Sequence, residues 1–134
     1  MQGTILGFVV GSLIGAVATS VGSYVVLRRR RRAAVKRLRL AFETELAALS
    51  YVEELSEAGR YEELAASVED PVVYETNAGE IGRLTDEEVE ALVTFYTDLY
   101  WLHEQQDIED KKERVDGIAD EWRRALEAVR AAAD

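Results

Sequence analysis

Cysteine is absent from this chain, which excludes disulfides and thiolate metal sites. A single proline and little serine argue against a disordered, low-complexity tail. Lysine is also scarce, with three (Lys36, Lys111, Lys112) among 16 basic residues. Alanine and valine are frequent while phenylalanine occurs only three times, and the formal net charge is -10. That composition is expected of a protein from a high-salt cytoplasm, where dense carboxylates keep the chain soluble and salt screens their repulsion. The competing reading is an ordinary acidic domain.

Acidic side chains are missing altogether from residues 1–40, which carry eight basic ones: Arg28, Arg29, Arg30, Arg31, Arg32, Lys36, Arg37 and Arg39. Residues 41–134 therefore hold all 26 acidic residues against eight basic ones, a balance of -18. Two stretches of opposite charge face different surroundings.

Reactive motifs are missing as well. No Walker motif, dinucleotide fingerprint, GxSxG, HExxH or EF-hand loop occurs. Asp107, Glu109 and Asp110 begin like a calcium loop, but Lys111 and Lys112 stand where a ligand and the turn glycine are needed. The Glu-x-x-His pairs of di-iron bundles are absent, and the lone His103 has no partner at EXXH or HXXXH spacing. The expectation is a non-enzymatic chain with no catalytic residue, metal or cofactor.

What is present first is an apolar run. Gly3 to Leu27 is 25 residues with no ionisable side chain apart from the phenol of Tyr24, and a helix of that length reaches roughly 37 Å, enough to span a bilayer with some tilt. A cleaved signal peptide is the main competitor, because Ala16-Val17-Ala18 has the form of a cleavage site. Met1-Gln2-Gly3-Thr4 lacks a basic n-region, however, and the apolar run continues to Leu27.

The arginines Arg28 to Arg32 follow directly. The positive-inside bias holds them on the cytoplasmic side, with the N-terminus outside and the C-terminal domain in the cytoplasm. Arginine runs also occur in nucleic-acid-binding proteins. Directly after an apolar span this one reads as a stop-transfer and a contact for anionic lipid, so no specific nucleic acid is expected. Gly3, Gly7, Gly11 and Gly15 recur every four residues, with Thr19 and Ser23 continuing the stripe. That spacing puts them on one helical face, where a neighbouring helix can approach closely.

Beyond the span, Val35, Leu38, Phe42, Leu46, Leu49, Val52 and Leu55 predict one amphipathic helix from Ala33 to Ala58, running on from the membrane segment and ended by Gly59. Glu43, Glu45, Glu53, Glu54 and Glu57 occupy its polar face. Tyr61 to Glu69 predicts a short helix. Asp70-Pro71 has the form of an N-cap before a first-turn proline, opening another short helix to about Ala78 that Gly79 closes, with a turn at Gly82. Thr85-Asp86-Glu87-Glu88 is a capping box.

The helix after it carries Val89, Leu92, Val93, Tyr96, Leu99, Tyr100 and His103 on one side, extended by Phe95 and Leu102. Gln105 to Arg114 is either a solvated helical stretch or a connection. Val115, Ile118, Trp122, Leu126 and Val129 predict a last amphipathic helix. The fold class is therefore all-α: a transmembrane helix (1–27), a basic juxtamembrane segment (28–40) and a small acidic helical bundle (41–134).

The stretch Val73-Tyr74-Glu75-Thr76-Asn77, then Ile81-Gly82-Arg83-Leu84, then Val93 to Tyr96, resembles a pattern in small uncharacterised prokaryotic and phage proteins. These have an N-terminal membrane helix, a long amphipathic helix and a compact helical end. The resemblance covers roughly 25 of the 134 residues and implies architecture alone. The same positions also have structural readings: Tyr74 packs beside Tyr96, Gly79 and Gly82 turn the chain, and Leu84 staples the following helix.

The leading functional expectation is a membrane-anchored structural or adaptor protein. Its glycine stripe associates helices within the bilayer, as a homo-oligomer or with another membrane or structural protein, and its acidic domain engages a partner. Two alternatives stand beside it: a structural protein of a virus with an internal lipid layer, placed in the virion membrane, and a membrane-bound regulatory or sensory module.

Overall fold

The structure is a computed structural model that describes residues 17–134 and, for residues 2–16, the helical backbone alone. The chain is all-α, and every regular element among the described residues is helical. It forms two compact units, Met1–Val35 and Lys36–Asp134.

The first unit lies within helix α1 (Gln2–Ala48). Its apolar side chains over residues 17–27, among them Val17, Val21, Tyr24 and Val26, are exposed. Among the described residues no helix is long and apolar enough to cross a membrane. Only residues 17–27 of the expected span are described with their side chains, a helical rise of about 16 Å, or roughly half the hydrocarbon thickness of a bilayer. The glycine stripe Gly3, Gly7, Gly11 and Gly15 lies outside the described residues.

The second unit is a helical bundle. It comprises the end of α1, α2 (Tyr51–Glu57), α3 (Tyr61–Ser67), α4 (Val72–Asn77), a 3-10 segment (Ala78–Arg83), α5 (Asp86–Glu104), a 3-10 turn (Glu109–Lys111) and α6 (Lys112–Ala133). Helix α5 packs on α6, α6 on α2, and α3 on both α2 and α5. Phe42, Leu46, Val52, Leu64, Leu92, Phe95, Leu99, Leu102, Val115 and Ile118 are fully buried. Each contributes about 1.5–3 kcal/mol by leaving water.

The helix expected over Ala33–Ala58 is broken in two. In an unbroken α-helix the Leu46 carbonyl would accept from the Ser50 amide, but here the Trp122 indole N–H donates to it at 2.8 Å. The Ser50 amide turns instead to the Ala47 carbonyl at 3.3 Å, so the chain tightens into a 3-10 turn before α2 begins. Gly59 does end α2, as expected. Its φ of +70° lets its amide reach the Ser56 carbonyl at 3.1 Å and the Arg60 amide the Leu55 carbonyl at 2.9 Å, a paired closure that a Cβ would strain.

Two further expectations are corrected. Asp70 does not cap α4: Pro71 flanks the helix without a side-chain cap, and a carboxylate from α1 takes the free amides. Gly79 does not close α4 either, because the chain runs on into the 3-10 segment and no glycine but Gly59 among the described residues has positive φ. The capping box is present, with the Glu88 amide donating to Thr85 Oγ1 and the Thr85 amide to Glu88 Oε1. Leu84, just before it, is buried.

The buried face of α5 is Ala91, Leu92, Phe95, Tyr96, Leu99 and Leu102, which leaves Val93 and His103 exposed. Two apolar stripes overlap on this helix, and the one richer in leucine buries more area and turns inward. Gln105–Lys111 is a connection, pinned by the buried Ile108. The expected core positions of α6, Val115, Ile118, Trp122, Leu126 and Val129, are all buried.

Candidate interaction surfaces

Apart from Glu121, the polar groups of the second unit's interior are committed to each other. Glu45 lies on α1 at the spacing of Leu38, Phe42 and Leu49, and so faces inward despite its charge. It accepts from the Val73 amide at 2.7 Å, the Tyr74 amide at 3.2 Å and the Tyr96 hydroxyl at 2.6 Å. It is the cap of α4, supplied from a distant part of the chain. Burial first, then the Glu45 carboxylate, pushes the Tyr96 phenol far up from its ordinary value. Tyr74 stacks on Tyr96 with ring centroids 4.2 Å apart, as the sequence suggested.

Glu88, fully buried, also receives Arg39 at 3.2 and 3.0 Å from Nε and at 2.9 Å from Nη2. Burial alone would raise its pKa. Hydrogen bonds from Arg39 and Thr85, with the Arg39 charge, outweigh burial and hold the carboxyl below its usual range. Arg39, read in the sequence as part of the basic juxtamembrane segment, is thus partly buried against the bundle through this pair. Asp116 accepts from Ser56 at 2.7 Å and from Tyr61 at 2.9 Å, tying α6 to α2 and α3.

A different pairing joins α5 to α6. Glu121 is pushed up to about 8, chiefly by burial, then by a hydrogen bond shared with Asp98 and by that residue's charge, against the opposing Arg124 and Arg114. Its Oε2 is buried without a hydrogen-bond partner. Arg114 lies 3.6 Å from Asp98 and stacks 3.7 Å above the Trp101 ring.

Beside Glu121 runs a cleft of about 420 Å³ between α5 and α6, lined by Glu87, Glu90, Glu127 and Arg124 around Ala91, Thr94, Ala128 and Ala131. A hollow of about 580 Å³ lies by α2 and α4, with Glu54, Glu63, Glu69 and Asp70 around Leu49, Leu55 and Val72. Both are open, carboxylate-rimmed surfaces. Among the described residues no three His, Cys, Asp or Glu side chains converge as a metal site.

Of the residues singled out in the sequence, Arg28 to Arg32 all lie on α1 and are exposed. His103 is exposed at the end of α5. The two cross-helix ties, Glu45 and Arg39–Glu88, escaped sequence reasoning. The available signal was Glu45's place on the apolar stripe of α1. No protein-family model matches this chain, and comparison with curated proteins and with solved structures gives no match.

Proposed function

We propose that this chain is a non-enzymatic, single-pass membrane-anchored structural or adaptor protein. Residues 3–27 form the span, Arg28 to Arg32 lie against anionic headgroups on the cytoplasmic face, and the helical domain presents carboxylates to a protein partner. One observation carries the reading: five consecutive exposed arginines directly follow a 25-residue run without ionisable side chains other than one tyrosine, the order of a span and its stop-transfer flank. A second supports it. Apart from Glu121, the domain's inward polar groups are spent on capping and cross-helix ties, which leaves its carboxylate-rimmed grooves as the surfaces free to act.

The test is extraction of membranes at alkaline pH, combined with impermeant thiol labelling of Gln2→Cys and Asp134→Cys variants in sealed vesicles. Retention in the pellet with labelling from opposite sides is expected. Release into the alkaline supernatant would sink the anchor.

A further inference from the structure

Within the second unit, α1 buries Leu38, Phe42 and Leu46 but leaves Leu40 64% exposed. Lys36 lies one turn before Leu40, with Arg37 alongside, and both are exposed. An apolar side chain flanked by two cations is thus presented outward. The α5/α6 cleft is its complement. Its lining sets four carboxylates, Glu87, Glu90, Glu121 and Glu127, against the one cation Arg124, with the small Ala91, Ala128 and Ala131 among them, so another helix can approach closely. In one copy Leu40 stays in solvent, so the cleft is not filled from within.

The two surfaces also lie at one level of the bundle. Arg39, the neighbour of Leu40, pairs with Glu88, the neighbour of Glu87. A second copy in the same orientation therefore carries its Lys36–Leu40 face at the height of the first copy's cleft. We propose that the Lys36, Arg37 and Leu40 face of α1 in one copy docks into the α5/α6 cleft of a second copy. The surfaces differ, so the contact is head-to-tail and repeats from copy to copy as a ring or a row. This deepens the structural reading above and rests on it: the partner of the acidic groove is the chain itself.

The chain has no cysteine, so introduced thiols report cleanly. Full-length Leu40→Cys and Ala131→Cys variants are mixed in detergent, reconstituted into lipid vesicles at molar salt and oxidised; Leu40→Cys with Gly79→Cys is the control. The expected result is a disulfide-linked dimer from the first mixture and not from the control. It is lost when the cleft partner also carries Glu87→Lys and Glu127→Lys, and regained when the α1 partner carries Lys36→Glu and Arg37→Glu. A link no stronger than the control, in a preparation whose light-scattering mass is several copies, overturns this contact and leaves the membrane scaffold standing. A single-copy mass with the protein held in the membrane overturns both the contact and self-association.

Discussion

Glu45 occupies a position on α1 that periodicity reserves for an apolar side chain, and its carboxylate makes the site worth more than an apolar residue would. Three donors from α4 and α5 converge on it. Removing it strands two amides and a buried phenol, and each unsatisfied donor costs on the order of 1–3 kcal/mol. Glu45→Ala is expected to lower unfolding stability by about 2–4 kcal/mol. Glu45→Gln, which keeps one acceptor oxygen, loses less. Urea unfolding followed by tryptophan fluorescence measures both, and equal losses would show that a single acceptor oxygen holds none of the three donors.

Glu121 and Glu88 titrate in opposite senses. Glu121 holds its proton up to about 8 in the fold, whereas an unfolded glutamate releases it near 4.3. Its contribution is full below about pH 4 and is lost as pH rises toward 8. Glu88, held below its usual range by Arg39 and Thr85, contributes above the unfolded value and loses that contribution as pH falls. Together they place the stability maximum in mildly acid solution. Partial exposure of Glu121 and its arginines reduce the effect to about 1–2 kcal/mol between pH 5.5 and 8.5. Glu121→Gln, which imitates the protonated acid, is expected to flatten that decline in thermal melts; an unchanged slope would remove Glu121 as its source.

At the scale of elements, α6 was legible because Val115, Ile118, Trp122, Leu126 and Val129 mark a single stripe with no rival. The start of α5 was legible because a capping box is local chemistry, closed within four residues. The break between α1 and α2 was not legible. Leu46 to Val52 keeps perfect helical spacing, and the cause of the break is an indole that lies 76 positions further along the chain. For the same reason Asp70 was a plausible cap for α4 on local grounds and lost to Glu45, which tertiary structure delivers. The rotated face of α5 follows from two overlapping stripes whose order only packing decides. Trp122→Phe tests the break directly. The ring's apolar bulk largely remains, the Leu46 carbonyl keeps the Leu49 amide at 3.1 Å but loses the indole, and a cost of about 1 kcal/mol follows. Ser50's amide is then free to take that carbonyl, so its hydrogen exchange should slow relative to global opening; faster exchange would mean that the break has another cause.

For the whole molecule the deciding quantity is charge against screening. From Ala41 onward 26 carboxylates face eight basic residues, and the exposed ion pairs, such as Arg60 with Glu63, Arg83 with Glu80, Arg123 with Glu53 and Arg130 with Glu43, are each worth about 0–1 kcal/mol. Salt weakens those few attractions and the far more numerous repulsions together, and the repulsions win because most carboxylates have no cation to lose. The Arg39–Glu88 pair, with Glu88 buried and Arg39 partly exposed, is screened less than these. With a Debye length of about 10 Å at 0.1 M and about 3 Å at 1 M, repulsion across the domain fades over that interval. The full chain in nonionic detergent is therefore expected to gain stability from 0.1 to 1 M salt, and to expand or lose its tertiary packing below a few tenths molar. In a Trp101→Phe background, fluorescence of Trp122, buried between α6 and the end of α1, reports the packing independently of helix content in residues 3–27. A native spectrum that persists without salt would show that the apolar core outweighs self-repulsion unaided, and the acidic surface would then serve its partner rather than its solvent.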